Sequence, residues 1–287
     1  MIDTDFHRKI NMKKILPGKI RLLKKYFKDE FSVILAFVFG SFAKGFETEE
    51  SDLDVAVYLK NDNPAAVREA EDRIFGAMSD IIEKEVDLVC LNQAPANLVS
   101  NVFKTGIPLV IKDKILYWEL YLKASAEAED FLEFLEDFRR IKLQSQSLSP
   151  EEKERLILRI DFLEDEFREF NRFKTLSWEE YVNDRDKRKI VERWTENILN
   201  AIIDIAKIIL ATEKKEMPKT YEAALLNFCI FIGWGEKEAR RFARFASLRN
   251  ILAHEYLNIN YEKIHCFIKE LPGFYKKFSG FLKDYLK

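Results

Sequence analysis

The fold of the N-terminal part follows from residues 38–57, which have the sequence Val38-Phe-Gly-Ser-Phe-Ala-Lys-Gly-Phe-Glu-Thr-Glu-Glu-Ser-Asp-Leu-Asp-Val-Ala-Val57. An apolar run over residues 32–39 predicts a buried strand that ends at Gly40-Ser41. A second apolar run, Leu53–Tyr58, predicts another strand soon after it. The chain therefore leaves one strand through a glycine-containing turn and enters the next through acidic residues.

Two carboxylates, Asp52 and Asp54, stand at the start of the second predicted strand. Side chains alternate along a strand, so both are expected on the same face. Neighbouring carboxylates repel each other unless a cation lies between them, and hard oxygen ligands beside phosphate favour Mg²⁺. Gly40 lets the backbone approach a ligand closely, and free N–H groups from Ser41 onward suit a phosphate. The pattern predicts a site for Mg²⁺ and a nucleoside triphosphate.

A third carboxylate, Asp87, lies in the apolar segment 85–91, which predicts a further strand. Gly-Ser, a spacer, Asp-x-Asp and a later strand Asp resemble the signature of the minimal nucleotidyltransferases of the polymerase-beta-like superfamily. The resemblance covers roughly residues 15–115. It implies that Asp52, Asp54 and Asp87 are catalytic and hold Mg²⁺, and that Gly40 and Ser41 bind the triphosphate of ATP.

Length and composition favour a cytoplasmic protein of two domains. A chain of 287 residues is long enough for two cores. Its three cysteines are scattered through apolar segments without metal or disulfide spacing, which predicts reduced core residues. No uncharged run is long enough to span a membrane. A net charge of −2 excludes a broadly basic surface, so any RNA contact must be local.

Strand signals stop near residue 113, and helical periodicity replaces them. A long helix is predicted over 115–141, followed by a polar linker, and Ser149-Pro150 begins the next helix. The last part is predicted to contain one helix over 236–253 and two final helices separated at Pro272-Gly273. The predicted architecture is an α+β nucleotidyltransferase domain, with a mixed sheet and flanking helices, followed by an all-α helical bundle. Its limits are residues 1–114 for the first domain, 115–148 for a helical bridge and linker, and 149–287 for the bundle.

One octapeptide interrupts the apolar pattern of the bundle: Arg249-Asn250-Ile-Leu-Ala-His254-Glu-Tyr256. A single histidine at a helix end is more often structural than catalytic. Here Asn250 and His254 share one helical face. Basic residues precede the octapeptide at helical spacing and could form a solvated face or contact RNA: Lys237, Arg240, Arg241 and Arg244.

The octapeptide in its helical setting resembles the HEPN family, whose Arg-x4–6-His motif marks metal-independent ribonucleases. The resemblance covers roughly residues 150–287. It implies that Arg249 and His254 are the nuclease pair, with RNA as substrate. His254 would move a proton and Arg249 would stabilise negative charge on the phosphorane. The two are five positions apart, about 140° around a helix, so either the helix ends near residue 253 or a homodimer completes the site.

Together the two halves resemble toxin–antitoxin pairs of the MntA–HepT type. That resemblance implies transfer of AMP from ATP to Tyr256, which would silence the ribonuclease toxin. The family usually has the two activities on separate chains, whereas here they are fused. We therefore expect self-adenylylation, within one chain or between the protomers of a homodimer formed through the HEPN domain.

Two other functions stay open, and the first of them leaves Arg249-Asn250 and His254-x-Tyr256 unexplained. The first is a small-molecule nucleotidyltransferase similar to those that modify aminoglycosides, with the helical half as substrate domain. An acidic pocket for a cationic substrate would favour it. The second is a HEPN module that binds RNA or a nucleotide without cleaving it.

Overall fold

A computed structural model describes residues 17–45, 52–82, 85–144, 148–254 and 260–286. The chain divides into two compact units, Met1–Ala128 and Glu129–Lys287. The division falls inside one long helix, α5 (Lys114–Gln144), which corresponds to the bridge helix predicted over 115–141. The domain limits at residues 114 and 148 stay predictions.

The first unit is built on a mixed sheet, as the sequence predicts. Its strands within the described residues are β1 (Val33–Val38), β2 (Leu53–Leu59), β3 (Val86–Cys90) and β4 (Ile107–Ile111). The strand order is β3-β2-β1-β4. Strand β1 is antiparallel to both β2 and β4, and β2 is parallel to β3. The strand that follows the glycine turn is therefore central, with one parallel and one antiparallel neighbour.

Helices cover both faces of this sheet: α1 (Pro17–Asp29), α2 (Gly40–Lys44), α3 (Pro64–Ile81) and α4 (Ala96–Thr105). Leu53, Val55 and Val57 pack in one apolar cluster with side chains of α1 and α3. Ala56, at the alternate position of β2, packs in a second cluster with side chains of α4 and of the start of α5. Because strand side chains alternate, Asp54 lies on the same face as Ala56.

The second unit is helical and packs around α9 (Arg185–Thr212). The inward positions of α9 are fully or almost fully buried, including Trp194, Ile198, Ile202, Ile205 and Ile209. The other helices that begin in this unit are α6 (Pro150–Arg168), α7 (Phe170–Phe173), α8 (Trp178–Asn183), α10 (Tyr221–Phe231), α11 (Glu236–Ala243), α12 (Ala246–His254) and α13 (Tyr261–Tyr285). The predicted all-α half is confirmed.

Three details of the sequence-based prediction are wrong. The single helix predicted over 236–253 is two helices, because backbone N–H groups at the junction bond three residues back and tighten the chain. The two final helices are one, α13, with Pro272 inside it. Burial of Leu271 and Phe274 on either side of that proline outweighs the lost hydrogen bond. Cys266 is exposed, because it lies on the outer face of α13, whereas Cys90 and Cys229 are buried.

Among the helices that the structure describes, none is both long and apolar enough to cross a membrane.

Candidate functional site

The turn after β1 brings the backbone against a carboxylate. The Phe39 N–H donates to the Asp54 carbonyl oxygen at 3.0 Å, which ties the end of β1 to β2. Gly40 has φ +68°, and a Cβ added to it would lie 1.9 Å from Asp54 Oδ2. Only glycine fits this position, because both the left-handed backbone and the space exclude a side chain. The glycine thus allows the turn to lie directly on the Asp54 carboxylate.

Asp54 and Asp87 are direct partners in the parallel pairing of β2 with β3, so their side chains leave the same face of the sheet. Asp54 is half-buried, whereas Asp87 and Asp52 are exposed. Burial raises the pKa of Asp54, and the negative charges of Asp87 and then Asp52 raise it further. Hydrogen bonds from the Ser41 and Asp54 backbone N–H groups oppose that rise in pKa. Three carboxylates therefore act on one another at this end of the sheet.

The chemistry of these donors suits a hard divalent cation, because a cation would relieve the repulsion that raises the pKa of Asp54. Over residues 17–45, 52–82, 85–144, 148–254 and 260–286, however, no three metal-ligating side chains are gathered as a ready metal site. Ser41 also uses its backbone N–H on Asp54 in this state. Mg²⁺ at the three aspartates and triphosphate at Gly40-Ser41 stay predictions.

Asp54→Asn is expected to stabilise the first unit slightly. The pKa of Asp54 is raised in the folded chain, so the ionised carboxylate destabilises the fold at neutral pH and ceases to do so in acid. We expect the free energy of unfolding to rise by about 0.5 kcal/mol, since water screens a half-exposed charge. Chemical denaturation at pH 7 measures it.

Asp80→Asn is the control, because Asp80 is exposed on α3. Mg²⁺ should stabilise the wild-type chain and not the Asp54→Asn variant. Equal stabilisation of both by Mg²⁺ would exclude Asp54 as a ligand.

The second cluster of polar residues surrounds Arg249 on α12. Its Nη1 forms an ion pair with Asp130 of α5, and its Nε donates to Asn200 Oδ1 of α9 at 2.8 Å. The guanidinium carbon lies 5.0 Å from the ring centroid of Tyr221 on α10. Burial lowers the pKa of Arg249, but the hydrogen bond and charge of Asp130 outweigh it, so the guanidinium stays ionised. Asn250, half-buried, accepts from Arg249 Nη1 at 3.4 Å.

The rest of the octapeptide is only partly described. His254 is the last residue of α12, and its side chain, together with Tyr256, lies outside the described residues. Arg241 and Arg244 are exposed, and Arg241 forms an ion pair with Glu270 at 2.9 Å. The junction between α11 and α12 separates these two exposed residues from Arg249, so the basic residues do not form one continuous helical stripe.

Comparison with known proteins identifies both halves. Residues 22–115 match the family model described as polymerase beta, nucleotidyltransferase. Residues 163–279 match the model described as ribonuclease HepT-like. A protein of Methanocaldococcus jannaschii that is named as a protein adenylyltransferase, MJ1379, is 36% identical over 72 residues, which is 23% of this chain and 72% of that protein. The chain belongs to the polymerase-beta nucleotidyltransferase family and also carries a HepT-like domain.

Solved structures give a weaker likeness. A crystal structure of a toxin–antitoxin with AMP-PNP has a TM-score of 0.31 and 23% identity, covering 40% of this chain and 87% of that one. Two mutants of the toxin–antitoxin MntA–HpeT have a TM-score of 0.32, at 21% and 24% identity, and cover 41% of this chain. The matched regions make up 90% and 89% of the chains in those two structures. The assignment of the nucleotidyltransferase and HepT-like domains rests on the family models and on the M. jannaschii relative.

Sequence reasoning missed the residues that hold Arg249. Asp130, Asn200 and Tyr221 come from three other helices, and Asp130 precedes Arg249 by 119 residues. Asp130 also lies before residue 163, where the HepT-like match begins. It stands among other acidic residues of α5, so nothing local distinguishes it.

A cavity of about 510 Å³ lies beside Arg249 in the second unit. Four carboxylates line it: Asp130, Glu133, Asp137 and Asp204. Three of these are paired with cations, because Asp130 binds Arg249 while Asp137 and Asp204 share Lys207. The cations of the lining are Arg249 and Lys207, so its carboxylates exceed its cations by two.

Proposed function

We propose that the nucleotidyltransferase domain transfers AMP from ATP to Tyr256 of its own chain or of a second copy. The modification silences a ribonuclease activity of the HepT-like domain. The observation that carries the proposal is the close approach of the Gly40 backbone to Asp54, with Asp87 paired beside it on the neighbouring strand. The name of the M. jannaschii relative supports protein as the acceptor.

In this proposal Asp52, Asp54 and Asp87 hold Mg²⁺, and the turn at Gly40-Ser41 faces the triphosphate. Bound Mg²⁺ would supply neutralisation of the negative charge on the phosphates. The Tyr256 phenol oxygen attacks the α-phosphorus, one of the carboxylates accepts the phenol proton, and pyrophosphate leaves.

The HepT-like domain then cleaves RNA when Tyr256 is unmodified. His254 transfers a proton at the ribose, and Arg249, whose charge is permanent, stabilises the negative phosphorane. The exposed Arg241 and Arg244, with Asn250, are the candidate RNA contacts. A nucleotide on Tyr256 adds negative charge two residues from His254, which repels RNA. A homodimer that pairs two octapeptides fits the 140° separation of Arg249 and His254 on an ideal helix.

A cationic small molecule is the alternative acceptor. It would need free carboxylates in the helical unit, and the cavity beside Arg249 is the candidate place. Asp130, Asp137 and Asp204 are each paired with a cation of this chain. Pairing weakens the attraction of these three carboxylates for a second cation, which leaves Glu133 as the main anion available to it. We rank this alternative below the protein acceptor because the M. jannaschii relative is named as a protein adenylyltransferase.

The proposal predicts that the purified chain gains mass in steps of one AMP during incubation with ATP and Mg²⁺. The gain should be lost in Asp52→Asn/Asp54→Asn and in Tyr256→Phe. Intact-mass spectrometry measures it, and the same samples are assayed for cleavage of single-stranded RNA. Cleavage should fall as AMP is added, because the modification lies beside His254.

Tyr275→Phe is the matched control, since Tyr275 belongs to the same domain and its ring stacks on Phe167. Mixing Asp52→Asn/Asp54→Asn with Tyr256→Phe separates the two routes, because only transfer between chains can modify that mixture. A chain that is free of AMP at the start and gains none would exclude self-modification. A gain that persists in Tyr256→Phe would move the acceptor elsewhere.

A further inference from the structure

The guanidinium of Arg249 is held from three directions by residues of three helices. Asp130 of α5 forms an ion pair with Nη1, and Asn200 of α9 accepts a hydrogen bond from Nε at 2.8 Å. The ring of Tyr221 on α10 faces the guanidinium, with its centroid 5.0 Å from the guanidinium carbon. The Arg249 side chain is 13% exposed. A long side chain with several free torsions is thereby restricted to one orientation.

The residues that hold Arg249 are themselves fixed. The Tyr221 hydroxyl donates to the Asp130 backbone carbonyl oxygen at 3.1 Å. The Tyr221 ring also packs edge-on against Phe131, with centroids 5.0 Å apart. Asp130 is thus bonded through its backbone to the same tyrosine that covers the arginine it pairs with. The arrangement has the features of a preorganised charge rather than of a surface ion pair.

Asp130 contributes the charged contact in this arrangement. Asn200 and Tyr221 are neutral, so among the described residues Asp130 alone forms an ion pair with Arg249. A carboxylate that fixes one guanidinium nitrogen directs the remaining N–H groups away from itself. Asp130 lies on α5, before the first residue of the HepT-like match.

We propose that Asp130 is a positioning residue for ribonuclease action: it orients the Arg249 guanidinium toward the scissile phosphate without touching RNA itself. This proposal rests on the ribonuclease function proposed above. A displacement of about 1 Å in a catalytic group costs up to about 100-fold in rate, so losing the orienting charge should act on turnover rather than on RNA binding.

The test uses the full chain with Asp52→Asn/Asp54→Asn, made by cell-free synthesis, so that Tyr256 carries no AMP. A fluorescent single-stranded RNA of mixed sequence is the substrate. Asp130→Asn should lower kcat at least about tenfold, with KM within about twofold of the parent. Asp130→Glu keeps the charge on a longer side chain and should give an intermediate kcat. His254→Ala defines the background rate.

Asp165→Asn is the matched control, since it breaks an exposed pair with Arg168 in the same unit and should leave kcat unchanged. Thermal unfolding verifies that each variant is folded.

If Asp130→Asn does not fold, Asp130→Glu is used for the test instead, and a kcat equal to the parent's would refute positioning. An Asp130→Asn variant that cleaves as fast as the parent, or faster, would overturn the positioning role of Asp130 but not the ribonuclease function. A parent no faster than His254→Ala overturns the ribonuclease function and this proposal together.

Discussion

Gly40→Ala is expected to reduce the proposed AMP transfer at least about 100-fold, because it displaces Asp54, a proposed Mg²⁺ ligand of the nucleotidyltransferase domain. The added Cβ would lie 1.9 Å from Asp54 Oδ2 and 2.7 Å from its Cγ, far inside van der Waals contact. The φ of +68° at Gly40 is also unfavourable for alanine, at a cost of about 1–2 kcal/mol. Either Asp54 moves or the turn opens, and both separate Gly40 and Ser41 from the carboxylates. The initial rate of AMP incorporation at saturating ATP measures the effect.

Gly76→Ala is the matched control for that substitution. Gly76 lies inside α3, and a Cβ there meets no atom within 4 Å. Its transfer rate should equal the wild-type rate, and its free energy of unfolding should rise by about 0.5–1 kcal/mol because alanine favours a helix. A Gly40→Ala chain with a near wild-type rate would mean that the contact between Gly40 and Asp54 has no part in transfer.

Asp137→Ala is expected to destabilise the helical unit by about 2 kcal/mol, because it removes the carboxylate that three cations share, of which Lys207 is buried. Asp137 accepts from Arg140 Nη2 at 2.6 Å, from Arg155 Nη2 at 2.9 Å and from Lys207 Nζ at 2.9 Å. Lys207 is 10% exposed and Asp137 is 20% exposed. Three cations therefore converge on one partly buried carboxylate that joins α5, α6 and α9.

The stability of this cluster should depend on pH. Burial alone would raise the pKa of Asp137, but the hydrogen bonds from Arg155, Lys207 and Arg140 outweigh burial and hold the pKa far below its usual range. A lowered folded-state pKa contributes stability above the unfolded pKa of about 4, and that contribution is lost as the pH falls below it. The difference in unfolding free energy between wild type and Asp137→Ala should thus be largest near pH 7 and become smaller in acid.

Asp165→Ala is the control for the cluster, because its pair with Arg168 is exposed and should contribute less than about 1 kcal/mol. Urea denaturation at several pH values measures both variants. A loss in Asp137→Ala as small as that in Asp165→Ala would show that the cluster does not hold the helices together.

Local sequence was enough to predict the strands and the glycine turn after β1, while the role of the three aspartates stays a prediction. Gly40 and Ser41 follow β1 after one residue, and Asp52 and Asp54 are two positions apart, so their arrangement depends on short-range geometry. Local sequence was not enough for the last helix, where Pro272 predicted a break that the burial of Leu271 and Phe274 overrides. The junction between α11 and α12 was missed for the opposite reason, because it contains neither the glycine nor the proline that would have predicted a break.

The sequence by itself determined a nucleotidyltransferase domain followed by a HEPN-type helical bundle, whereas the side chains that carry the chemistry stay predictions. Only the tertiary structure decided that Asp87 pairs directly with Asp54, that a Cβ at Gly40 would collide with Asp54, and that Asp130 binds Arg249. Strand register and interhelical ion pairs join residues far apart in the chain, up to 119 positions for Asp130 and Arg249. Periodicity and motif spacing extend over only a few residues, so they specify elements and motifs but not the partners that packing brings to them.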